Sequence, residues 1–317
     1  MEIPDDFSGC KVYGFGYNPI SKDYKLLEVS QSWSSNSMED IGLWNPSTRK
    51  SHKLPVSDIE FPECFPICPI VVYGFGYDSV SDDYKLVRIA EFLGEDDHYV
   101  DSEVKVYSLK KKCWKRVKGF PYLLHYKRIY GVLVNNALHF VVSRRSESYA
   151  KSLIAAFDLG TEETYEVPLL DLWAEEFYYM LLGVLEGSLC MIANYENSRV
   201  DIWVMKEYGV KDSWTKLLSV VDPQGSFSYD FIKMKPLVYS RSKDRVLVNQ
   251  DGEKFIWYDL TAKGAEDVKI QGLSKTFEAE MFVGSLVKLD GNFLIRGINR
   301  KNQQANRGKK KNNKKKR

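Results

Sequence analysis

The chain has 317 residues, 44% hydrophobic, 14% aromatic and 28% charged, with a net charge of +2. This composition excludes a disordered or collagen-like chain, and no apolar run approaches the ~18 residues of a membrane span. The length suffices for one large all-β domain or two smaller ones. Five scattered cysteines (Cys10, Cys64, Cys68, Cys113, Cys190) are an odd number that fits a reducing compartment. The acidic start, Met1 to Phe7, has no apolar core of a secretory signal, so a cytoplasmic location is expected. The net charge hides an asymmetry: ten of the 45 basic residues lie in 300–317, which holds no Asp or Glu. The remainder carries 35 basic against 43 acidic residues and is acidic.

Along the chain, Val12-Tyr13-Gly14-Phe15-Gly16-Tyr17 through Asp23-Tyr24-Lys25-Leu26 reads as two short strands joined by a polar turn. Ser30 to Asp40 is polar and reads as a loop. Ile41 to Lys50 reads as a strand ending in an Asn45-Pro46 turn, and Leu54-Pro55 closes the unit. A Pro-rich stretch (Pro62, Pro66, Pro69) leads to a second copy of the opening text, Val72-Tyr73-Gly74-Phe75-Gly76-Tyr77 through Asp83-Tyr84-Lys85-Leu86-Val87-Arg88-Ile89. Strand alternation puts Tyr73, Phe75 and Tyr77 on one face and Val72, Gly74 and Gly76 on the other. A glycine face lets another backbone come close. A unit written twice is a repeat signal.

A beat of about 50 residues follows, with strands at 104–109, 153–159, 200–205 and 255–260 whose aromatics are Tyr107, Phe157, Trp203 and Tyr258. Hairpins keep the same beat, turning at Asn135-Asn136, Glu186-Gly187 and Asp290-Gly291. Only Asp171 to Tyr179 reads as a short helix. The pattern predicts an all-β, kelch-like β-propeller of about five to six blades over 1–299, with the first and last incomplete so that the ends meet. Two stacked β-sandwiches are the alternative. Residues 300–317 have no apolar periodicity and are expected to form a disordered basic tail. That tail is either a solubilising end or a means of nuclear localisation or nucleic-acid contact.

Tyr73-Gly74-Phe75-Gly76-Tyr77-Asp78 with Asp83 to Ile89 resembles the hallmark of the F-box-associated domain of plant F-box proteins. So do Leu43-Trp44-Asn45-Pro46-Ser47-Thr48-Arg49-Lys50 with Leu54-Pro55, and Ile202 to Val210 with Ser213-Trp214-Thr215-Lys216. The resemblance spans 41–298, with 11–29 as an extra copy of 72–89, and is nearest the S-locus F-box and F-box/kelch-repeat group. It implies a substrate receptor of an SCF-type ubiquitin ligase, joined to a Skp adaptor and cullin through an F-box. S-locus members recognise S-RNases in self-incompatibility. No stretch before Gly9 is long enough for an F-box, so ligase assembly by this chain is not expected.

No catalytic, cofactor or metal site is expected. The Gly-x-Gly pairs at 14–16 and 74–76 lack a third glycine and a following helix. Cys64 and Cys68 have no second ligand pair. His52, His98, His125 and His139 are scattered, and His139 lies in a strand as a satisfied imidazole. The carboxylate pairs sit beside turns and read as solvated. Trp44, Trp114, Trp203, Trp214 and Trp257 are assigned to equivalent core positions between blades, whereas Trp33 and Trp173 fall off the beat and are contact candidates. A partner should meet the loops of one propeller rim, the foremost being Glu95, Asp96, Asp97, His98, Tyr99 and Asp101. That loop is either a solvated hairpin end or an acidic patch that steers a basic protein such as an S-RNase. Ser30 to Asp40, Arg144 to Lys151 and Asp222 to Tyr229 are the other candidate loops.

Overall fold

The computed structural model describes residues 10–18, 23–31, 40–45, 50–60, 69–93, 99–125, 130–144, 152–170, 179–195, 199–221, 233–270, 277 and 279. Their regular structure is five antiparallel sheets and one turn of 3-10 helix, Lys211–Ser213. Blade 1 comprises β1 (Cys10–Asn18), β2 (Asp23–Gln31), β3 (Asp40–Asn45) and β4 (Lys50–Leu54). Blade 2 comprises β5 (Ile70–Asp78), β6 (Asp83–Leu93), β7 (Tyr99–Ser108) and β8 (Cys113–Val117). In blade 3, β9 (Tyr122–Leu124) and β10 (Val132–Val134) share the first-strand place beside β11 (Ala137–Arg144), followed by β12 (Leu153–Asp158) and β13 (Thr164–Val167). Blade 4 comprises β14 (Tyr179–Leu185), β15 (Ser188–Tyr195), β16 (Arg199–Met205) and β17 (Trp214–Val221). Blade 5 comprises β18 (Met234–Tyr239), β19 (Arg245–Gln250), β20 (Lys254–Asp259) and β21 (Ala265–Val268).

Within each sheet the strands lie in chain order, and the first strands of successive sheets are neighbours. This is a β-propeller with five blades among the described residues, not a pair of sandwiches. The hairpin at 284–294 and residues 171–178 of the expected helix lie outside the described residues, and Tyr179 begins β14. The two copies of the opening text fold alike: Tyr17 pairs with Tyr24 as Tyr77 pairs with Tyr84.

The two faces of β5 explain how blades stack. Tyr73, Phe75 and Tyr77 pack with Leu27, Ile41, Leu43 and Leu54 of blade 1. Val72, on the opposite face, packs with Leu138 and Phe140 of blade 3. Gly74 forms a parallel bridge with Gly131, whose N–H donates to the Tyr73 carbonyl at 2.8 Å. A β-carbon on Gly74 would come within 2.5 Å of Leu138 of blade 3, so glycine eases the approach of the two blades. Two further clusters lie between blades 3 and 4 and between blades 4 and 5, giving a core divided into layers rather than one central mass.

The tryptophans are not equivalent, contrary to the sequence assignment. Trp44, Trp203 and Trp257 lie on third strands, Trp114 and Trp214 on fourth strands. Met205, opposite Trp214, occupies the place that Tyr107 holds opposite Trp114. Trp203 sits two residues earlier and is only partly buried; beside it the ladder shifts register, leaving Leu217 of β17 as the extra residue. Trp114 and Trp214 do correspond. The Trp114 indole donates to the Pro55 carbonyl at 2.7 Å and the Trp214 indole to the Pro168 carbonyl at 2.9 Å, each tying a blade to the one before it.

Candidate functional site

Up-and-down strand order, with first strands running parallel from blade to blade, divides the connections between two rims. Connections from first to second strand and from third to fourth fall on one rim, and most are short. Asn135 and Asn136 (φ 48° and 62°) and Glu186 and Gly187 (φ 48° and 82°) make the two-residue turns foreseen from sequence. Connections from second to third strand and from each blade to the next fall on the other rim, and these include the longer segments 32–39, 55–69, 168–178 and 222–233.

Every loop singled out from sequence belongs to this second rim. Trp33 is in the β2–β3 connection, Glu95, Asp96, Asp97 and His98 in the β6–β7 connection, and Trp173 in the β13–β14 connection. These residues lie outside the described ones, as do 145–151 and 222–232. Tyr99 pairs with Leu93 and closes the base of the acidic loop. Asp101, paired with Phe92, is exposed, and its carboxylate accepts from the Ser102 N–H at 2.7 Å. Among the predicted site residues, Asp101 is thus a described side chain at the loop's root.

Sequence reading did not foresee how that root is braced. Arg88 and Glu103 are buried on adjacent strands, 2.8 Å apart, with side chains 1% and 0% exposed. The Arg88 guanidinium also donates to the carbonyls of Ser57 and, at 3.0 Å, Asp58. Lys105 donates to the Asp58 carbonyl at 2.8 Å and lies 3.3 Å from Glu103 and 2.9 Å from Glu60. The Glu60 N–H donates to Glu103 at 3.0 Å, and the Glu60 carboxylate meets Arg116 at 2.7 Å. Hydrogen bonding from Lys105 is the largest influence on the Glu60 carboxyl, and its pKa lies below the usual value. The segment 55–60 is therefore strapped across blade 2 as it leaves β4 for the loop rim. The available signal was strand alternation: after Tyr84 and Leu86, the next inward position of β6 is a charge, which burial tolerates only when paired.

Two further contacts fix neighbouring roots. Ser102 Oγ donates to the Phe120 carbonyl at 3.1 Å and accepts from the Phe120 N–H at 2.8 Å. The buried Glu91 carboxylate accepts from the Leu124 N–H at 3.3 Å, joining blade 2 to blade 3. Lys235 of blade 5 donates to the Tyr130 hydroxyl, just before β10 of blade 3, at 3.0 Å.

Two buried ionisable groups are held neutral by their surroundings. His139 is fully buried, and desolvation lowers its pKa to about 4, so the ring is neutral. Its hydrogen bonds assign the tautomer: Nδ1–H donates to the Val132 carbonyl at 3.0 Å, and Nε2 accepts from the Tyr208 hydroxyl at 2.7 Å. Tyr208 is in turn 2.8 Å from the Tyr165 hydroxyl. Burial pushes the Cys190 thiol up to about 12, which leaves it a small apolar side chain. Cys64, Cys68 and His98 lie outside the described residues, among which no cluster of three His, Cys, Asp or Glu side chains could hold a metal ion.

The model of the F-box associated beta propeller domain matches residues 33–289. The chain is 44% identical over 271 residues to F-box protein CPR1 of Arabidopsis thaliana, covering 80% of this chain and 65% of that protein. It is 38% identical over 269 residues to F-box protein At4g22390, with the same coverage, and 35% identical over 186 residues to F-box/kelch-repeat protein At3g23880. In At3g23880 the match covers 57% of this chain and 48% of that protein, all three relatives coming from the same plant. The chain thus spans less than two thirds of the length of these relatives. With its blade order and matched span, the chain belongs to the family of F-box associated β-propeller domains of plant F-box proteins.

Proposed function

We propose that the chain is the target-recognition part of an SCF-type ubiquitin ligase and acts without chemistry of its own. A target protein is gripped by the loop rim, and a Skp adaptor and cullin join wherever an F-box is supplied. The observation that carries this reading is the separation of the rims. One is closed mainly by short turns, while most of the longer connections issue from the other, over roots held by Arg88, Glu103 and Ser102. Rigid blades presenting loops of varied sequence suit protein recognition.

The chemistry of the rim favours a basic target. Glu95, Asp96, Asp97 and Asp101 cluster at one connection, and the chain before residue 300 has eight more acidic than basic residues. An S-RNase, the target class of the S-locus group, is one such basic protein. This reading places the protein in the cytoplasm. One alternative rests on residues 300–317, whose ten basic side chains suit nuclear import or nucleic-acid contact.

The two readings separate in one capture experiment on plant extract, using the wild type, the quadruple variant E95Q/D96N/D97N/D101N and a chain ending at residue 299. Receptor function requires a partner lost with the quadruple variant and kept by the shortened chain. Retention by the quadruple variant with loss on shortening would transfer the activity to the tail.

A further inference from the structure

The outer edge of blade 2 carries charge that the loop rim does not use. Residues 110–118 read Lys-Lys-Lys-Cys-Trp-Lys-Arg-Val-Lys, six cations without an anion. They form the turn after β7, the strand β8 and its exit. Among the described residues β8 pairs with β7 alone, and its outward N–H and C=O groups line a sheet edge. The side chains of Lys110, Lys115 and Arg116 are 61%, 67% and 51% exposed, and Lys111, Lys112 and Lys118 are exposed as well.

Nearby carboxylates offset only part of this charge. Asp82 lies 3.7 Å from Lys110, Glu162 2.7 Å from Lys115 and Glu60 2.7 Å from Arg116. Among the described residues no carboxylate is within ion-pair distance of Lys111 or Lys118. The field reaches blade 1, where β4 exposes Lys50 and Lys53. His52 between them has a lowered pKa, first from burial and then from Lys25 and Lys112. The outer strands of blades 3 and 5 carry the opposite sign, with Glu166 on β13 and Glu266 and Asp267 on β21. The cationic edge is densest on blade 2, with Lys50 and Lys53 of blade 1 as further exposed cations.

We propose that this edge docks an acidic, extended polypeptide segment of another protein, which adds as a strand beside β8 and sets its carboxylates against Lys111, Lys115 and Lys118. Lysines on a sheet edge deter indiscriminate pairing, and the same lysines favour a strand of opposite charge. The open backbone selects a polypeptide over a nucleic acid, because only another peptide backbone matches its row of donors and acceptors. The edge also lacks a free stacking platform: Trp114 is half-buried and its N–H is committed to Pro55.

The test uses the full chain, a labelled peptide of repeated Glu-Glu-Val-Val, which presents carboxylates on both strand faces, fluorescence anisotropy, and hydrogen exchange of the β8 amides. The peptide should slow exchange across 113–118. Lys111→Glu with Lys118→Glu should weaken binding at least about fivefold, and the milder Lys111→Gln with Lys118→Gln should weaken it less, at unchanged melting temperature. Lysines of the tail add affinity without protecting β8. The proposal is overturned by protection confined to 300–317, or by affinity that neither double variant changes. It is also overturned if duplex DNA displaces the peptide and slows exchange of the same amides. Concentration-dependent self-association abolished by Lys111→Glu with Lys118→Glu would assign the edge to a second copy of the chain instead.

Discussion

The Trp114 indole reaches from the outer strand of blade 2 to the Pro55 carbonyl just past the outer strand of blade 1, and Trp214 makes the same bond to Pro168 two blades later. A bond of this type contributes about 1 kcal/mol net, and its loss leaves a carbonyl without its donor. Trp114→Phe and Trp214→Phe should each lower stability by about 1–2 kcal/mol, measured as a shift in urea midpoint. Equal stability of both variants and the wild type would remove the indoles as blade ties.

The Gly74–Gly131 approach sets a sharper limit. Gly131→Ala places a methyl against Phe140 and Leu138 inside a closed core and should cost about 1–3 kcal/mol. Gly264→Ala has open space around its β-carbon and should stay within about 0.5 kcal/mol of the wild type. Similar costs for the two substitutions would contradict the close packing of Gly131 on Phe140 and Leu138 of β11.

Buried charge braces the acidic loop. Arg88→Met leaves Glu103 buried beside Lys105 with its best partner gone, at a cost of about 3–5 kcal/mol. Glu103→Gln strands Arg88 in the same way. The combined Arg88→Met and Glu103→Met variant should recover part of the loss, because no opposed charge then remains at that pair. A thermodynamic cycle from chemical denaturation checks this. Strict additivity of the two single costs would show that the pair does not act as a unit.

His139 makes stability depend on pH. Its folded pKa of about 4 lies below the unfolded value of 6.5, so the unfolded chain binds the extra proton between those values. The stabilising contribution is present in full above pH 6.5, declines as pH falls from there, and is gone below about 4. The gap corresponds to about 3 kcal/mol at most. The difference in unfolding free energy between wild type and His139→Gln should shrink over that window. Tyr208→Phe, which removes the hydroxyl donor to Nε2, should lessen the slope while keeping the ring. A difference independent of pH would mean the ring is not held neutral.

Electrostatic steering by the loop rim predicts a kinetic signature. E95Q/D96N/D97N/D101N should lower the association rate with a basic partner by about tenfold at low salt while changing the dissociation rate little. Raising ionic strength should erase the difference. Surface plasmon resonance at two salt concentrations decides it, and an effect seen only in dissociation would point to direct contacts.

Strand alternation and turn residues are local properties, so the sequence by itself determined an all-β chain, the repeat, the aromatic and glycine faces of β5, and the turns at Asn135-Asn136 and Glu186-Gly187. Membership of one rim was also implicit, since the candidate loops all join second to third strands or one blade to the next. Only the tertiary structure decided what the charged and polar groups inside the blades do. Alternation places Arg88 on the inward face of β6, but only the fold supplies Glu103 and the 55–60 strap as its partners, and only the fold leaves Trp203 partly buried. The physical reason is range: hydrophobic period is written within a few residues, whereas the partners of Arg88, Trp114 and His139 are separated from them by up to 69 residues in sequence and are chosen by packing between blades.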